Sequence, residues 1–469
     1  MDHSKYSPAS THRARPDGVT MGGMTGTREA QVLPSAQSPQ GSSWLFLLPL
    51  SAALVAATVS LGRVSGNAST AGGILEGDLR RALLFGPIYA FAGLLLLRRP
   101  TQALNLARTQ PALWALIAYA ALSAVWSSYP GAVMTFAGHM LGYAFIAMAA
   151  SIAARGSAGI VAKTLWIPGF SLLIATIVLV WGQPRLAIME IGDQFRWAGP
   201  TFHPNILGVV SLLTTWASIV LITKGGSVWR TLIASGSALL AAVCLLGSNS
   251  VTSAILSGAL WVFLFPMLLI AHSPTGSRRL MWAVALFGML MGFLWLTLTA
   301  PELLTWDKLM AALGRTKNLT GRLALWEAGW KAFLARPLEG WGFDSLASVT
   351  TVQRLGVGQL HNGYIDVLVR GGVVAGMLTL AFLWTTARNL WLVRRTRRAD
   401  ATAFAAALVA VLMHNVTEGS LVRSPHPIWL LACVVAFQVS AMRHAVPNVG
   451  DSRAQEVPRR HLSPRIQHP

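Results

Sequence analysis

The chain has 469 residues, of which 54% are hydrophobic and only 12% charged, with 37 Lys and Arg against 17 Asp and Glu and a formal charge of +20. Soluble domains carry about 25% charged residues, so an ordinary globular fold is excluded, and the hydrophobic content excludes disorder. Scarce charge and 18 Trp speak against a nucleic-acid-binding protein. What is left is a polytopic membrane protein whose excess Lys and Arg belong on one side of the bilayer.

Residues 1–42 are polar and rich in Ser, Thr, Pro and Gly. They read as a disordered cytoplasmic tail without the short apolar core and cleavage site of a signal peptide. Apolar windows follow at 43–61, 82–97, 111–126, 131–153, 163–181, 204–222, 228–246, 251–271, 280–300, 365–387, 401–417 and 427–442. A span requires about 20 mostly apolar residues, so the expectation is an all-α membrane domain over 43–442 with about 12 transmembrane helices. A basic tail over 443–469 closes the chain. Cys244 and Cys433 lie inside apolar runs and read as small buried hydrophobes.

Twelve spans place both termini on one side. With the tails and the even-to-odd loops inside, 23 of the 37 basic residues are cytoplasmic and 13 are outside, and Arg370 lies within a span. Counting Asp and Glu as well, the inner side carries about +17 and the outer side about +2. This orientation obeys the positive-inside rule, with Arg394-Arg395-Thr396-Arg397-Arg398 as a strong anchor.

Two outer loops are long, at about 182–203 and 301–364. Within the second, Leu323, Trp326, Trp330, Phe333 and Leu334 recur at spacings of three and four, which predicts an amphipathic helix over 321–335 lying on the membrane surface. Arg336-Pro337 ends it, and Gly340-Trp341-Gly342-Phe343 reads as a turn.

These loops hold the chain's candidate chemistry: Arg196 beside His203, Pro204 and Asn205; Arg322; and His361 just before a span. An arginine fork suits a lipid diphosphate at headgroup depth, and an imidazole suits the deprotonation of a hydroxyl. There is no Asp-x-Asp pair to hold a divalent metal, so a site of arginine electrophiles and one His base is coherent, with no metal and no cofactor. The same residues also read as interfacial anchors and a hydrogen-bonded structural histidine, and His203 as a helix-start residue; these alternatives stay open at this level. Asp366 is placed either to orient the imidazole or to face water. Arg370, four residues on, pairs with it along the helix, and His139, His414 and Asn415 read as interhelical hydrogen-bond partners.

The runs Leu319-Thr320-Gly321-Arg322 with Trp326, Arg336-Pro337-Leu338 with Gly340–Phe343, and His361-Asn362-Gly363-Tyr364 with Asp366 and Gly372 resemble the signature region of the O-antigen ligase and polysaccharide polymerase superfamily. Arg196–Gly199 with His203-Pro204-Asn205 resembles its other outer-loop motif, and Leu-Thr-Gly-Arg is most like the exopolysaccharide polymerase branch. The resemblance implies a GT-C-like glycosyltransferase of the bacterial inner membrane with its active site facing the periplasm. Such an enzyme takes glycan from undecaprenyl diphosphate and passes it to a sugar acceptor without metal or nucleotide donor. By position, His361 matches the family's general base and Arg196 and Arg322 its diphosphate-holding arginines, with Asn362, Asp366 and His203 as further substrate contacts. Many members carry a basic residue where Val251 stands in Ser248–Thr252; Arg315 or Lys317 are the substitutes. The partners expected are the lipid-linked glycan, its acceptor, membrane lipid and other polysaccharide assembly proteins, with no nucleic acid. The favoured expectation is a polymerase. The alternatives are a ligase to lipid A-core or protein, a transporter of lipid-linked saccharide, and a non-enzymatic scaffold.

Overall fold

The computed structural model describes residues 43–59, 79–191, 194–274, 277–278, 281, 322–344, 346, 349–353 and 359–444. The expected tail 1–42, the expected span 280–300 apart from Met281, Arg315, Lys317 and residues 445–469 lie outside them, with Arg443 and His444 completing the last helix instead of opening the basic tail. Each of the other eleven apolar windows is helical: α1 (Leu48–Thr58), α2 (Leu79–Leu97), α4 (Pro111–Leu122), α5 (Pro130–Ala154), α6 (Ala158–Gly182), α7 (Pro204–Thr223), α8 (Val228–Ser248), α9 (Val251–His272), α11 (Gly363–Val393), α12 (Arg398–Thr417) and α13 (Pro427–His444). Between α2 and α4 lies α3 (Pro100–Ala107), and α10 (Arg322–Ala335) precedes α11. Among the described residues, eight helices are long and apolar enough to cross a membrane, or nine if α2 and α3, bent at 108°, make one span; α1 and α4 are shorter apolar helices. The protein is a multi-pass membrane protein.

Helix starts follow local chemistry. Pro100, Pro111, Pro130, Pro204 and Pro427 each open a helix, where the missing N–H would have no intrahelical partner in any case. Ser157, Ser227 and Asn362 cap others by accepting first-turn amides. Arg155 and Asn249 close α5 and α8 in the left-handed region, at φ 48° and 46°.

At the centre stand α7 and α13, whose apolar stretches are 89% and 83% buried, against 39% for α8 and 28% for α9, which turn their apolar sides outward as lipid-facing helices do. Small residues allow close approach along α5, where Gly142, Ala144, Ala147 and Ala150 are buried. Buried amides stitch the bundle: Gln110 donates to the Ala436 carbonyl and Ser440, and Gln438 bridges Gly156 N and the Ala150 carbonyl.

Two features depart from expectation. The outer loop after α6 contains strands, β1 (Ile188–Ile191) and β2 (Gln194–Trp197), paired antiparallel with Met189 opposite Arg196. And α10 forms where periodicity placed it, but its expected apolar face is split. Phe333 is buried with Gly329 and Ala332, while Leu323, Trp330 and Leu334 are about half exposed. The small residues set the contact: a Cβ on Gly329 would lie 2.7 Å from Leu360 and 2.9 Å from Ile365, so α10 beds tightly on the start of α11. Phe333, Leu346, Val349, Val352, Leu360 and Val369 form a separate small core there. Gly340–Phe343 is likewise no free turn: Trp341 and Gly342 donate to the carbonyls of Val369 and Arg370 on α11.

Candidate functional site at one end of the bundle

The ends of α8 and α12, the starts of α7, α9 and α11, strand β2 and the first residue of α10 converge at one end of the bundle. Their meeting point is Glu418, just past the C-terminus of α12. Its Oε1 accepts from Arg322 Nη2 at 2.7 Å and from Asn205 Nδ2 at 3.1 Å, and its Oε2 accepts from His361 Nδ1 at 3.0 Å. The carboxylate side chain is 10% exposed, Arg322 15% and His361 22%, so the donors enclose the acid while the imidazole and guanidinium keep an opening.

The electrostatics of Glu418 follow from this shell. Burial alone pushes its pKa up. The hydrogen bond from His361 and the charge of Arg322 outweigh burial and hold it down at about 2. An ionised carboxylate only accepts hydrogen bonds, so the proton of His361 is assigned to Nδ1 and the lone pair to Nε2. That arrangement leaves Nε2 able to accept a proton or a hydrogen bond.

The backbone delivers His361 under constraint. Its φ is +50°, a conformation sparsely used by residues with a Cβ. Leu360 on one side is fully buried with its amide on Asp366 Oδ1, and Asn362 on the other caps α11. The histidine is held in the bend between a buried anchor and a helix start.

Arg196 joins the same network from β2. It is 7% exposed, donating from Nε to the Ser248 carbonyl at 2.8 Å and from Nη2 to Asn205 Oδ1 at 2.7 Å and the Asn249 carbonyl at 3.1 Å. It thus fixes the amide that donates to Glu418. The segment in which Val251 replaces a basic residue is the one whose carbonyls hold Arg196, and Thr252 Oγ1 meets Thr417 Oγ1 at 2.8 Å next to Glu418.

Other expected site residues have different employment. His203 starts α7, its ring accepting from Asn205 N. Asn362 uses its oxygen on Tyr364 N and Ile365 N and its amide nitrogen on the Val416 carbonyl. Asp366 does not supply the hydrogen bond that orients the imidazole: it is buried, accepts from Leu360 N at 3.3 Å and lies 4.0 Å from Arg370. Glu418 takes that role, and sequence reading missed it. Of the expected interhelical partners, His139 does bond Tyr89 across α2 and α5, at 2.7 Å. His414 and Asn415 instead tie down the loop after α12 through Ser420 and Leu421. Among the described residues no group of three or more His, Cys, Asp or Glu side chains is placed to hold a metal ion.

Residues 236–380 match the family model described as O-antigen ligase. Over this segment the chain resembles the O-antigen ligase and polysaccharide polymerase superfamily. The superfamily match contains Arg322, His361 and Asp366, and leaves Arg196 and Glu418 on either side. The chain is also similar to the Exopolysaccharide production protein ExoQ of Rhizobium meliloti (strain 1021), 28% identical over 213 residues, which is 42% of this chain and 47% of that protein. The alignment thus spans about half the length of the curated relative it matches.

Proposed function

We propose that the protein is a membrane glycosyltransferase acting on lipid-diphosphate-linked glycan, with Glu418, His361 and Arg322 at its reaction centre. The observation that carries this reading is the Glu418 hub: one buried, ionised carboxylate sets the tautomer of a partly open imidazole and holds a partly open guanidinium beside it. In the proposed step His361 Nε2 takes the proton of an acceptor hydroxyl. That oxygen bonds to the anomeric carbon while the carbon–oxygen bond to the diphosphate breaks, and its electron pair leaves on the diphosphate. Arg322 stabilises the leaving charge. Arg196 acts one layer back, fixing Asn205 and through it Glu418. Direct diphosphate contact by Arg196 is the role expected from sequence; its three hydrogen bonds to protein groups favour positioning.

As to the acceptor, the family description, O-antigen ligase, supports transfer to lipid A-core or protein better than the polymerase expected from Leu-Thr-Gly-Arg. The similarity to an exopolysaccharide production protein keeps polymerisation onto a lipid-linked repeat as the second reading. In both, the site faces the periplasm of a bacterial inner membrane with both termini cytoplasmic, on the support of the basic-residue distribution. The test is a deletion strain complemented with wild-type or His361→Ala protein. Accumulation of unattached polymer supports the ligase, single repeats on the core support the polymerase, and full complementation by folded His361→Ala protein overturns the transfer mechanism.

A further inference from the structure

The base nitrogen of His361 is already in use. Gln359 Nε2 lies 3.3 Å from His361 Nε2. Because Glu418 fixes the ring proton on Nδ1, Nε2 carries the lone pair and the Gln359 amide N–H is the donor. The amide is not free to turn over, since Arg423 Nη1 donates to Gln359 Oε1, and the same Arg423 nitrogen donates to the Gly419 carbonyl at 3.0 Å, adjacent to Glu418. Every donor in this chain has one consistent direction: Arg423 to Gln359, Gln359 to His361, His361 to Glu418.

We infer that Gln359 and Arg423 form the acceptor subsite, with the Gln359 amide occupying the place of the acceptor hydroxyl on His361 until a sugar displaces it. This rests on the transfer reading above and adds the side from which the acceptor arrives. A hydroxyl that gives up its proton to Nε2 must donate along the line the Gln359 N–H now uses, so the two compete for one lone pair. A displaced Gln359 offers an amide nitrogen and oxygen beside the Arg423 guanidinium. Together they match the alternating donors and acceptors of neighbouring sugar hydroxyls. The ligand class is a polyhydroxylated sugar with a free hydroxyl next to another hydroxyl. Arg322 contacts Glu418 through the opposite carboxylate oxygen from His361, which leaves the leaving diphosphate and the incoming acceptor on separate sides of the hub. The resting Gln359 contact also has a chemical use, because it occupies the base and keeps water from being activated in place of the acceptor.

Gln359 and Arg423 are acceptor-binding residues, and the test separates acceptor binding from general damage. The full-length protein in nanodiscs is assayed with a polyprenyl-diphosphate-linked saccharide as donor and methyl glucoside or methyl galactoside as acceptor. Gln359→Ala is compared with Gln359→Met, which keeps the volume and removes the amide. Loss of one hydrogen bond corresponds to about tenfold, so both variants are expected to raise the acceptor KM about tenfold and leave the donor KM within about twofold. Both are also expected to raise acceptor-independent donor hydrolysis relative to transfer. In parallel, the 15N signal of His361 Nε2 in protein with labelled histidine is expected to move in both variants toward that of a ring nitrogen without a hydrogen bond, and to shift when the methyl glycoside is added to wild-type protein, where a hydroxyl takes the place of the amide. Equal changes in donor and acceptor KM, an unchanged hydrolysis-to-transfer ratio, or a His361 signal insensitive to Gln359→Met overturns the assignment. If wild-type protein transfers nothing, the transfer reading fails, and the 15N comparison still decides whether Gln359 and the glycoside compete for the ring nitrogen.

Discussion

Two carboxylates face two arginines at the same end of the bundle, and they are built differently. Glu418 accepts three hydrogen bonds, one of them from Arg322 at 2.7 Å, and both Arg322 and His361 reach an opening. Asp366 and Arg370 are each 3% exposed, stand 4.0 Å apart, and leave Arg370 Nε and Nη1 without a hydrogen-bond partner among the described residues. The first pair is tightly satisfied yet accessible, and the second is loosely satisfied and sealed. A buried charge pair stabilises only when its geometry and remaining hydrogen bonds are good. By that measure Glu418 has the geometry the proposed reaction centre needs, while Asp366 holds the Leu360 amide at the base of the His361 bend.

The largest effects should come from the hub. His361→Ala and Glu418→Gln are each expected to lower transfer by about 10²–10⁴-fold, the second because an amide facing Nδ1 favours the wrong imidazole tautomer. Turnover in nanodiscs, with a melting curve to confirm folding, checks both. Arg322→Lys should lose about tenfold or more, since a point charge replaces the fork; undiminished turnover would remove Arg322 from the leaving-group role. Asp366→Asn should reverse the pattern, with stability reduced by about 1–3 kcal/mol and turnover per folded molecule nearly retained. A turnover loss as deep as that of Glu418→Gln would erase the contrast between the two carboxylates. The smallest effect is in pH. The folded pKa of Glu418 is depressed from 4.5 to about 2, so its stabilising contribution is fully present above about 4.5 and is lost as pH falls toward 2. The melting-temperature gap between wild type and Glu418→Gln should therefore be flat from pH 5 to 8 and shrink below about 4.5.

Much of this was legible in the sequence. Hydropathy located eleven described helices because lipid-length apolar runs have few other uses. The periodicity of 321–335 found α10, although it favoured the large residues, whereas Gly329 and Ala332 make the close contact. His361, Arg322 and Arg196 were picked from outer-loop chemistry and do share one network. Glu418 was not, since a lone acid in a short loop between two spans has no periodicity or spacing to mark it, and only the folded chain brings it to residues 57 and 96 positions away. The hairpin did leave a signal that went unused: Ile188-Met189-Glu190-Ile191 and Gln194-Phe195-Arg196-Trp197 flank Gly192-Asp193, a pattern suited to a tight two-residue connection.

Helix α11 breaks at Gly372, where φ is +61°, and the break frees backbone groups that lipid cannot satisfy. The segment after α10 covers it: Val373 and Val374 donate to the carbonyls of Pro337 and Leu338, while Trp341 and Gly342 donate to those of Val369 and Arg370. A Cβ on Gly372 would come within 2.1 Å of the Leu338 carbonyl oxygen, and one on Gly340 within 2.5 Å of that of Arg370. These four amides lie on two stretches of chain that are tied to each other. In hydrogen exchange they should behave as one kinetic unit, and a substitution at either glycine should speed exchange at both stretches at once.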